Sequence, residues 1–332
     1  MAIQNTALTK EHLNYASSVI GKIYGQYQQM IIGQEELFQR LMIGLLTSGH
    51  ILLEGVPGLA KTRAIQVISK TVNAVFHRIQ FTPDLLPSDI IGNQIFNPKE
   101  GSYFTKKGPV FANFLLADEI NRSPAKVQSA LLEAMQERQV TIGNETYKLP
   151  EFFYVLATQN PIEQEGTYQL PEAQLDRFLL KTIIKYPTPQ EELQMLNMLE
   201  KETDANVNQI ASGLQVTDIA TMQEITKHVY IETKVKEYII NIVAATRRPQ
   251  DYAIKLDNVI SFGGSPRASI AFMKAGKALA LLAGRDYVTP DDIKAIAKDV
   301  LRHRVILSYE AEATGNTVEN VIEKILNGIR VP

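Results

Sequence analysis

One short segment, residues 55–62, restricts the possible folds of this chain more than any other part of its sequence. Its residues are Gly55, Val56, Pro57, Gly58, Leu59, Ala60, Lys61 and Thr62. The segment directly follows an apolar run and opens a stretch with helical periodicity. A glycine-rich turn between a strand and a helix places backbone N–H groups and the positive end of the helix dipole around an anion. The pattern therefore predicts an α/β fold with a phosphate-binding loop at the end of a strand.

Two side chains at the end of this loop have the chemistry that a bound nucleotide requires. We expect Lys61 to reach the β- and γ-phosphates and the Thr62 hydroxyl to coordinate Mg²⁺. Ala60 takes the place of the usual last glycine, and we expect its methyl group to be tolerated because φ stays negative there. A motif this short also occurs by chance, so the alternative in isolation is an ordinary Gly-Pro turn. The strand before the loop and the acids described below favour the nucleotide site.

The first half of the chain alternates short apolar runs with helical patterns. The apolar runs cover residues 51–53, 75–81, 114–117, 152–157 and 179–184. Such alternation is typical of a parallel sheet covered by helices. Between the third and fourth runs, Ser123 and Pro124 are expected to be the N-cap and the first residue of an amphipathic helix.

Two segments interrupt this alternation. Residues 140–147 predict a hairpin around Gly143 and Asn144. Residues 90–109 form an insertion rich in Gly, Pro and Asn. The aromatic residues of that insertion are Phe96, Tyr103 and Phe104. We expect both segments to project from the surface.

Strand signals fade after residue 187, and helical patterns replace them. These patterns cover residues 191–201, 218–230 and 234–246. Two later helices are predicted by their starts at Ser265 and Thr289, each of which is followed by proline. We therefore predict two domains, a nucleotide-binding α/β domain at residues 1–186 and an all-helical lid domain at residues 187–332.

The apolar run that begins at Phe114 ends in two acids, Asp118 and Glu119. Adjacent carboxylates at the end of a buried strand are costly unless a cation lies nearby, and Mg²⁺ supplies one. We expect Asp118 to hold the metal through its water and Glu119 to orient and deprotonate the attacking water. The alternative is a solvated acidic turn.

Asn160 ends the next predicted strand. Because a parallel sheet places the carboxyl ends of its strands along one edge, we expect Asn160 beside Glu119 and the γ-phosphate. There it would position water and sense the phosphate. An Asn before Pro is commonly a turn residue, so only its position after this strand favours the functional interpretation.

The overall composition argues against several classes of protein. The 332 residues carry a net charge of -2 and include no Cys, so disulfides, thiolate metal sites and thiol nucleophiles are excluded. No global basic charge favours nucleic acid as a partner. No apolar stretch reaches the ~18 residues of a membrane span, and the N-terminus lacks the pattern of a signal peptide. We therefore expect a cytoplasmic protein.

Six segments together resemble the MoxR family of AAA+ ATPases, a group related to magnesium chelatase ATPase subunits. They are residues 55–62, 118–122, 128–137, 158–161, 170–178 and 264–268. The resemblance extends over nearly the whole chain. It implies hydrolysis of ATP to ADP with Mg²⁺, a helix-2 insert at about 90–109, a second hairpin at 140–147, and a hexameric ring with chaperone-like or maturation functions.

The resemblance also implies roles for two arginines. Arg177 resembles the arginine finger that enters the site of the neighbouring subunit, and its alternative is an ion pair with Asp176 or Glu172. Arg267 resembles the sensor arginine that contacts the γ-phosphate of its own or a neighbouring subunit. Arg122 is a weaker candidate for the subunit interface.

The same resemblance places the adenine against a segment that precedes the first strand. Its residues are Ile31, Ile32, Gly33 and Gln34. A plain core contact is the alternative for these residues.

These features favour an ATP-driven remodelling or maturation chaperone that acts on a protein client. The resemblance also points to a partner protein of the von Willebrand factor A type. One alternative is the ATPase subunit of a metal chelatase, which has a similar ring. A nucleic-acid motor is disfavoured by the missing basic stripe. A non-catalytic nucleotide switch is disfavoured because the expected catalytic residues are all present.

Overall fold

The computed structural model describes residues 8–55, 60–161, 166–201 and 213–332. In chain order its strands are β1 (Ile51–Glu54), β2 (Phe76–Gln80), β3 (Gly92–Asn97), β4 (Ser102–Lys107), β5 (Phe114–Asp118), β6 (Gln139–Ile142), β7 (Glu145–Lys148), β8 (Tyr154–Gln159), β9 (Leu180–Ile183), β10 (Ile260–Phe262) and β11 (Ile306–Leu307). Its helices are α1 (Lys10–Met30), α2 (Glu35–Thr47), α3 (Lys61–Thr71), α4 (Pro87–Ile91), α5 (Ala125–Glu137), α6 (Glu172–Leu175), α7 (Pro189–Lys201), α8 (Val216–His228), α9 (Thr233–Arg247), α10 (Pro266–Leu282), α11 (Pro290–Leu301), α12 (Tyr309–Ala313) and α13 (Val318–Gly328). Short 3-10 turns cover Ile120–Arg122 and Pro249–Tyr252.

A five-stranded sheet in the order β2-β5-β8-β1-β9 forms the centre of the first half. Its neighbouring strands are all parallel. The five strands coincide with the five predicted apolar runs, so the predicted α/β fold is confirmed. The carboxyl ends of parallel strands share one edge, and Glu54, Asp118 and Gln159 therefore end their strands side by side.

Both faces of this sheet are buried, which explains why its central strands are continuous apolar runs rather than alternating ones. Ile51 and Leu53 of β1 lie in the core that is shared with α1, α2 and α3. Leu52 lies in the opposite core, with Val127 and Leu131 of α5. Each such side chain contributes about 1.5–3 kcal/mol on burial. The strand ends that carry the polar residues are thus firmly anchored.

Both predicted projections are antiparallel hairpins, formed by β3 with β4 and by β6 with β7. Gly143 has a φ of 62°, the left-handed conformation that a tight hairpin turn requires. The two hairpins touch, because the Tyr147 hydroxyl donates to Thr105 Oγ1 at 3.0 Å. Phe96 and Tyr103, 50% and 69% exposed, lie side by side with ring centroids 5.1 Å apart. The hairpins therefore form one projecting unit with an aromatic end.

After β9 the described chain is helical apart from one small sheet. Strands β10 and β11 pair antiparallel, with Ile260 opposite Leu307, so the expectation of an all-helical second half is wrong in this detail. The pair joins the segment before α10 to the segment after α11. The domain boundary near residue 186 stays a prediction, and it falls between β9 and α7. Within the described residues, no helix has both the length and the apolar character to cross a bilayer.

Two predicted helix starts are confirmed in the second half. At the start of α10, Ser265 Oγ accepts the backbone N–H of Arg267 at 3.1 Å. At the start of α11, Thr289 forms a capping box with Asp292. These caps satisfy N–H groups that have no partner inside the helix.

The predicted start of α5 is wrong by one residue. The helix begins at Ala125, and Pro124 occupies the N-cap position. Ser123 instead ends the preceding 3-10 turn, where its hydroxyl donates to the Ile120 carbonyl at 3.2 Å. Ser123 therefore belongs to the turn that follows Asp118 and Glu119, and it does not cap α5.

Acidification is expected to destabilise the fold through His50. The ring is buried, with Nδ1 accepting from the Val155 backbone N–H at 3.1 Å and Nε2 donating to the Met135 carbonyl at 3.3 Å. Burial, together with the charge of Arg138, lowers the pKa of His50 from 6.5 to about 3. Between those two values the unfolded chain binds a proton that the folded chain does not bind. Stability is therefore unaffected above pH 6.5 and is lost as pH falls towards 3.

At pH 5 this linkage amounts to about 2 kcal/mol of unfolding free energy. Urea unfolding of the wild type and of His50→Gln at pH 7 and pH 5 measures it, and the variant is expected to lose less stability between the two values. His77→Gln, at an exposed position, serves as the control. An unchanged pH dependence in His50→Gln would contradict the prediction.

Candidate nucleotide-binding site

A cavity of about 370 Å³ lies at the carboxyl edge of the sheet. Its lining residues are Gly55, Ala60, Lys61, Thr62, Arg63, Arg78, Gln80, Asp118, Glu119 and Asn160. The structure thus brings both acids and Asn160 to the described part of the phosphate loop. The remaining loop residues that the sequence predicts lie outside the described residues; they are Val56, Pro57, Gly58 and Leu59.

Lys61, the first residue of α3, is held by the loop that it belongs to. Its Nζ donates to the Gly55 carbonyl at 2.6 Å. Burial lowers the pKa of Lys61, and the charges of Asp118 and Glu119 act in the opposite direction. A triphosphate in the cavity would add negative charge and favour the ammonium form further. Lys61 is therefore suited to bind phosphate as a cation.

The backbone at Ala60 differs from the sequence-based expectation. Its φ is +55°, not negative, so the residue occupies the left-handed region that glycine usually fills at this point. A side chain with a Cβ costs about 1–2 kcal/mol there. Strain of this kind beside a ligand cavity is typical of functional loops. The expectation of a negative φ is therefore wrong, and the methyl group of Ala60 is accommodated at a cost in conformational energy.

Asp118 is held by donors from both neighbouring strands. Thr158 Oγ1 donates to Oδ1 at 2.6 Å, and Arg78 Nη2 donates to Oδ2 at 2.6 Å. The Thr158 oxygen also accepts the backbone N–H of Glu119 at 2.8 Å. Thr158 is only 1% exposed. One buried hydroxyl therefore fixes the positions of both acids relative to β8.

Glu119 also adopts a left-handed backbone, with a φ of 55°. Its Oε2 accepts hydrogen bonds from Gln80 Nε2 at 2.8 Å and from Arg122 Nη1 at 3.2 Å. Gln80 in turn accepts from Arg78 Nη2 at 3.0 Å. Two side chains of β2 thus link the two acids. Arg122, a weak interface candidate in the sequence, contacts the Glu119 of its own subunit.

An apolar cavity of about 240 Å³ adjoins the phosphate cavity and shares Ala60 and Arg63 with it. It is lined by Met30, Ile31, Ile32, Gln34, Ala60, Arg63, Pro187, Met195, Met198 and Leu199. A flat apolar base fits such a lining, and the adenine role of Ile31 and Ile32 stays a prediction. Gly33 does not line this cavity; it has a φ of 64° and lies against the Glu191 side chain. The contribution of α7 was not predicted.

A third cavity, of about 310 Å³, lies at the opposite edge of the sheet, beyond the amino ends of β1 and β9. Most of its charged lining residues are cations, namely Arg138, Arg177, Arg267, Lys274 and Arg304. Asp176 is the single acid in this lining. The two arginines for which the sequence predicts contact with a nucleotide are therefore together, away from the phosphate cavity of their own chain. We call this space the arginine cavity.

The predicted alternative for Arg177, an ion pair with Asp176 or Glu172, is not what the structure contains. Asp176 binds Arg304 instead, with Nε 2.7 Å from Oδ1, and lies 4.0 Å from Arg267. Within the part of the chain that the structure describes, the Arg177 side chain makes no hydrogen bond or ion pair. Its guanidinium is thus available to an anion from outside the subunit.

Comparison with known proteins decides the family. The model for the ATPase family associated with various cellular activities (AAA) matches residues 50–180, and the AAA lid domain model matches residues 256–325. The chain is 47% identical to Chaperone MoxR1 of Mycobacterium tuberculosis over 308 residues, which are 92% of this chain and 81% of that protein. The chain belongs to the MoxR family of AAA+ ATPases.

Two further relatives agree with this assignment. The Bacillus subtilis protein YeaC is 43% identical, over 95% of both chains. A crystal structure of a Cytophaga hutchinsonii protein has a TM-score of 0.91 and 48% identity, and it covers 97% of this chain and 98% of that one. The MoxR-family chain therefore has an AAA core and a helical lid, and its enzymatic activity is that of an ATPase.

The residues of this MoxR-family site fit Mg²⁺. The Thr62 hydroxyl and the Asp118 carboxylate line one cavity, and hard oxygen ligands that leave room for water and phosphate oxygens are what this ion prefers. Among the described residues, no group of three or more His, Cys, Asp or Glu could hold a metal. Two protein oxygens leave coordination positions for phosphate oxygens and water, so the metal would be held jointly with the nucleotide and would neutralise phosphate charge there.

The roles of Arg78, Gln80 and Thr158 were not predicted from the sequence. Arg78 and Gln80 are two residues apart at the end of a strand, so both point to the same face. The register pairs Gln80 with Asp118. Two polar residues with this spacing at the end of an apolar run were the available signal. The role of Thr158 depends on the alignment of β8 with β5, which one sequence does not specify.

Thr158→Val is expected to slow ATP hydrolysis and to destabilise the protein by about 1–3 kcal/mol, because it removes the acceptor of the part-buried Glu119 N–H and the donor to Asp118. Thr158→Ser keeps the hydroxyl and is expected to restore most of both properties. Thr182→Val is the matched control, since Thr182 is a buried residue of β9 whose hydroxyl has no partner in the described structure. Steady-state turnover and urea unfolding measure the effects. Equal behaviour of the two valine variants would refute the role of Thr158.

Proposed function

We propose that this MoxR-family ATPase works as a hexameric ring of identical subunits, in which Arg177 and Arg267 of one subunit complete the nucleotide site of the next. One observation carries the proposal. The arginine cavity lies at the amino edge of the sheet, whereas the phosphate cavity of the same chain lies at the carboxyl edge. Neither arginine lines its own phosphate cavity, so a catalytic role requires a second subunit.

Each site would then use groups from two chains. Lys61 would bind the phosphates, Thr62 and Asp118 would hold Mg²⁺, and Asn160 would position the attacking water. Glu119 takes the proton of that water while the new P–O bond forms and the bond to ADP breaks. The Arg177 guanidinium of the neighbour stabilises the charge that spreads over the transferring phosphoryl group.

The contacts of Glu119 imply a resting arrangement. Its Oε2 accepts from both Gln80 and Arg122, so two side-chain donors occupy the oxygen that would accept the proton of the attacking water. Release from at least one of them is expected before Glu119 acts as a base. Nucleotide binding and the approach of a neighbouring subunit are the events that can break one of these two hydrogen bonds.

Hydrolysis in the ring would drive remodelling or maturation of a partner protein. The hairpin unit, with Phe96 and Tyr103 exposed, supports this proposal because an exposed aromatic pair is suited to protein contact. The partner is proposed to be of the von Willebrand factor A type, acting with a protein client in the cytoplasm. The chaperone name of the Mycobacterium relative agrees with such work.

Light scattering of Glu119→Gln with and without ATP tests the ring. A hexamer is expected with ATP, and the specific activity of the wild type is expected to rise with protein concentration as rings form. Full activity of a monomer at every concentration would rule the proposal out.

Capture from the native lysate tests the partner. Glu119→Gln with ATP is expected to retain a von Willebrand factor A-type protein better than Lys61→Ala, because a ligand-linked conformation shifts partner affinity. Substitution of both Phe96 and Tyr103 by Ser is expected to weaken the capture. Tyr309→Ser, at a position 85% exposed in α12, is the control. Equal capture by all variants would oppose this partner assignment.

A further inference from the structure

Asp176, the residue before the proposed finger, is bonded to the lid. Its Oδ1 accepts from Arg304 Nε at 2.7 Å, and its Oδ2 accepts from the Ser265 hydroxyl at 2.8 Å. The Ser265 oxygen also accepts the backbone N–H of Arg267 at 3.1 Å and so caps α10. A continuous hydrogen-bonded path therefore joins the backbone next to Arg177 to the first turn of the helix that carries Arg267.

The contact between Asp176 and Arg304 on this path is strong, whereas the contact between Asp176 and Arg267 is weak. Arg304 is 2% exposed at its side chain, and it also donates to the Phe178 carbonyl at 2.5 Å, so it holds the loop on both sides of the finger. Charge-assisted bonds of this kind are the strong ones. Arg267, by contrast, is 48% exposed and 4.0 Å from Asp176. A contact so long and so exposed is weak and easily exchanged.

We infer that Asp176 is a positioning residue that fixes the spacing of Arg177 and Arg267, so that both reach the nucleotide of the neighbouring subunit as one rigid unit. The inference rests on the proposed function, because only a finger that acts across the interface needs this spacing. Phosphates of the neighbour attract the exposed Arg267 side chain away from Asp176, while the bonds of Asp176 to Ser265 and Arg304 keep the two backbone segments at a fixed spacing. A movement of α10 then also moves residues 176–178, which include Arg177, in the same subunit.

Ser265→Ala tests the link without leaving a buried charge unpaired. The variant loses the bond to Asp176 and the cap of α10. Thr289→Ala is the matched control, since it removes the cap of α11 in the same lid and does not contact Asp176. Melting temperatures of the two variants are expected to fall by similar amounts.

The kinetic expectation separates the two variants. A small displacement of a catalytic group costs up to about 100-fold in rate, so Ser265→Ala is expected to lower kcat about 10- to 100-fold. Its KM for ATP is expected to stay unchanged, because the phosphate cavity of each subunit is intact. Thr289→Ala is expected to keep kcat, and Ser265→Thr, which retains a hydroxyl, is expected to recover most of it.

A second pair of variants changes the carboxylate itself. Asp299, like Asp176, contacts two arginines: it joins the lid to the core through Arg40 of α2 and also binds Arg302 of the lid. It does not line the arginine cavity. Asp176→Asn is expected to lower kcat and Asp299→Asn is not. Adding Arg177→Ala to Ser265→Ala is expected to cost less than Arg177→Ala alone, because both changes act through one group.

The outcomes distinguish the inference from the function on which it rests. Normal turnover by Arg177→Ala overturns both. A slow Arg177→Ala together with equal kcat values for Ser265→Ala and Thr289→Ala overturns the inference alone. A raised KM with unchanged kcat in Ser265→Ala also overturns it, since Ser265 would then serve the nucleotide site of its own subunit.

Discussion

Glu119→Gln is expected to bind ATP normally and to hydrolyse it about 10²- to 10⁴-fold more slowly, the usual contribution of a general base. The amide keeps the size of the side chain and still accepts the hydrogen bond from Gln80. It cannot take a proton from water. Single-turnover release of phosphate and equilibrium titration with a fluorescent ATP analogue measure the two properties separately.

Lys61→Ala provides the contrast, because it removes the ammonium that binds the phosphates and is expected to abolish ATP binding. Glu11→Gln, an exposed change in the first turn of α1, is the control for replacing a carboxylate by an amide. Comparable loss of ATP binding in Glu119→Gln and Lys61→Ala would contradict the separate roles assigned to them.

Those features that depend on local pattern could be predicted from the sequence. The central strands of the parallel sheet are buried on both faces, so uninterrupted apolar runs such as Phe114 to Ala117 identify them. The caps at Ser265 and Thr289 were predictable for the same reason, since a cap and the proline after it are adjacent in the chain. Each of these signals lies within a few residues.

Backbone strain and strand register were not predictable in this way. The positive φ at Ala60 could not be read from the residue type, because alanine most often adopts a negative φ. Arg78 and Thr158 meet at Asp118 only because β2 and β8 flank β5. Both contacts span 40 residues of sequence, and the order of strands in a sheet is not written in any local pattern.

The ion-pair partner of Asp176 was also not predictable from local sequence. Its neighbour Arg177 made a local ion pair plausible, but the carboxylate instead binds Arg304, which lies 128 residues further along the chain. Adjacent residues in an irregular segment commonly point in different directions. The sequence therefore identified Arg177 as a candidate finger, while its lack of a partner among the described residues became visible only in the fold.

Arg177→Ala is expected to bind ATP nearly normally and to hydrolyse it about 10³- to 10⁵-fold more slowly, the range found for arginine fingers. Arg177→Lys is expected to recover little, because an ammonium lacks the planar pair of donors that a phosphoryl group accepts from. Arg330→Ala, at an exposed position near the end of the chain, is the control. Steady-state turnover at saturating ATP, with ATP binding measured separately, gives the comparison.

Mixing two inactive variants then tests whether Arg177 acts in trans. Lys61→Ala subunits retain the finger but have no working phosphate site, whereas Arg177→Ala subunits retain the site but lack the finger. In a mixed ring, an interface that pairs an intact phosphate site with an intact finger is expected to hydrolyse ATP, so activity should return on mixing. Co-assembly is established first by capture of one tagged variant with the other. Verified mixed rings that remain inactive would mean that Arg177 does not act in trans. The distance between the arginine cavity and the phosphate cavity of one subunit would then not be explained by a shared site.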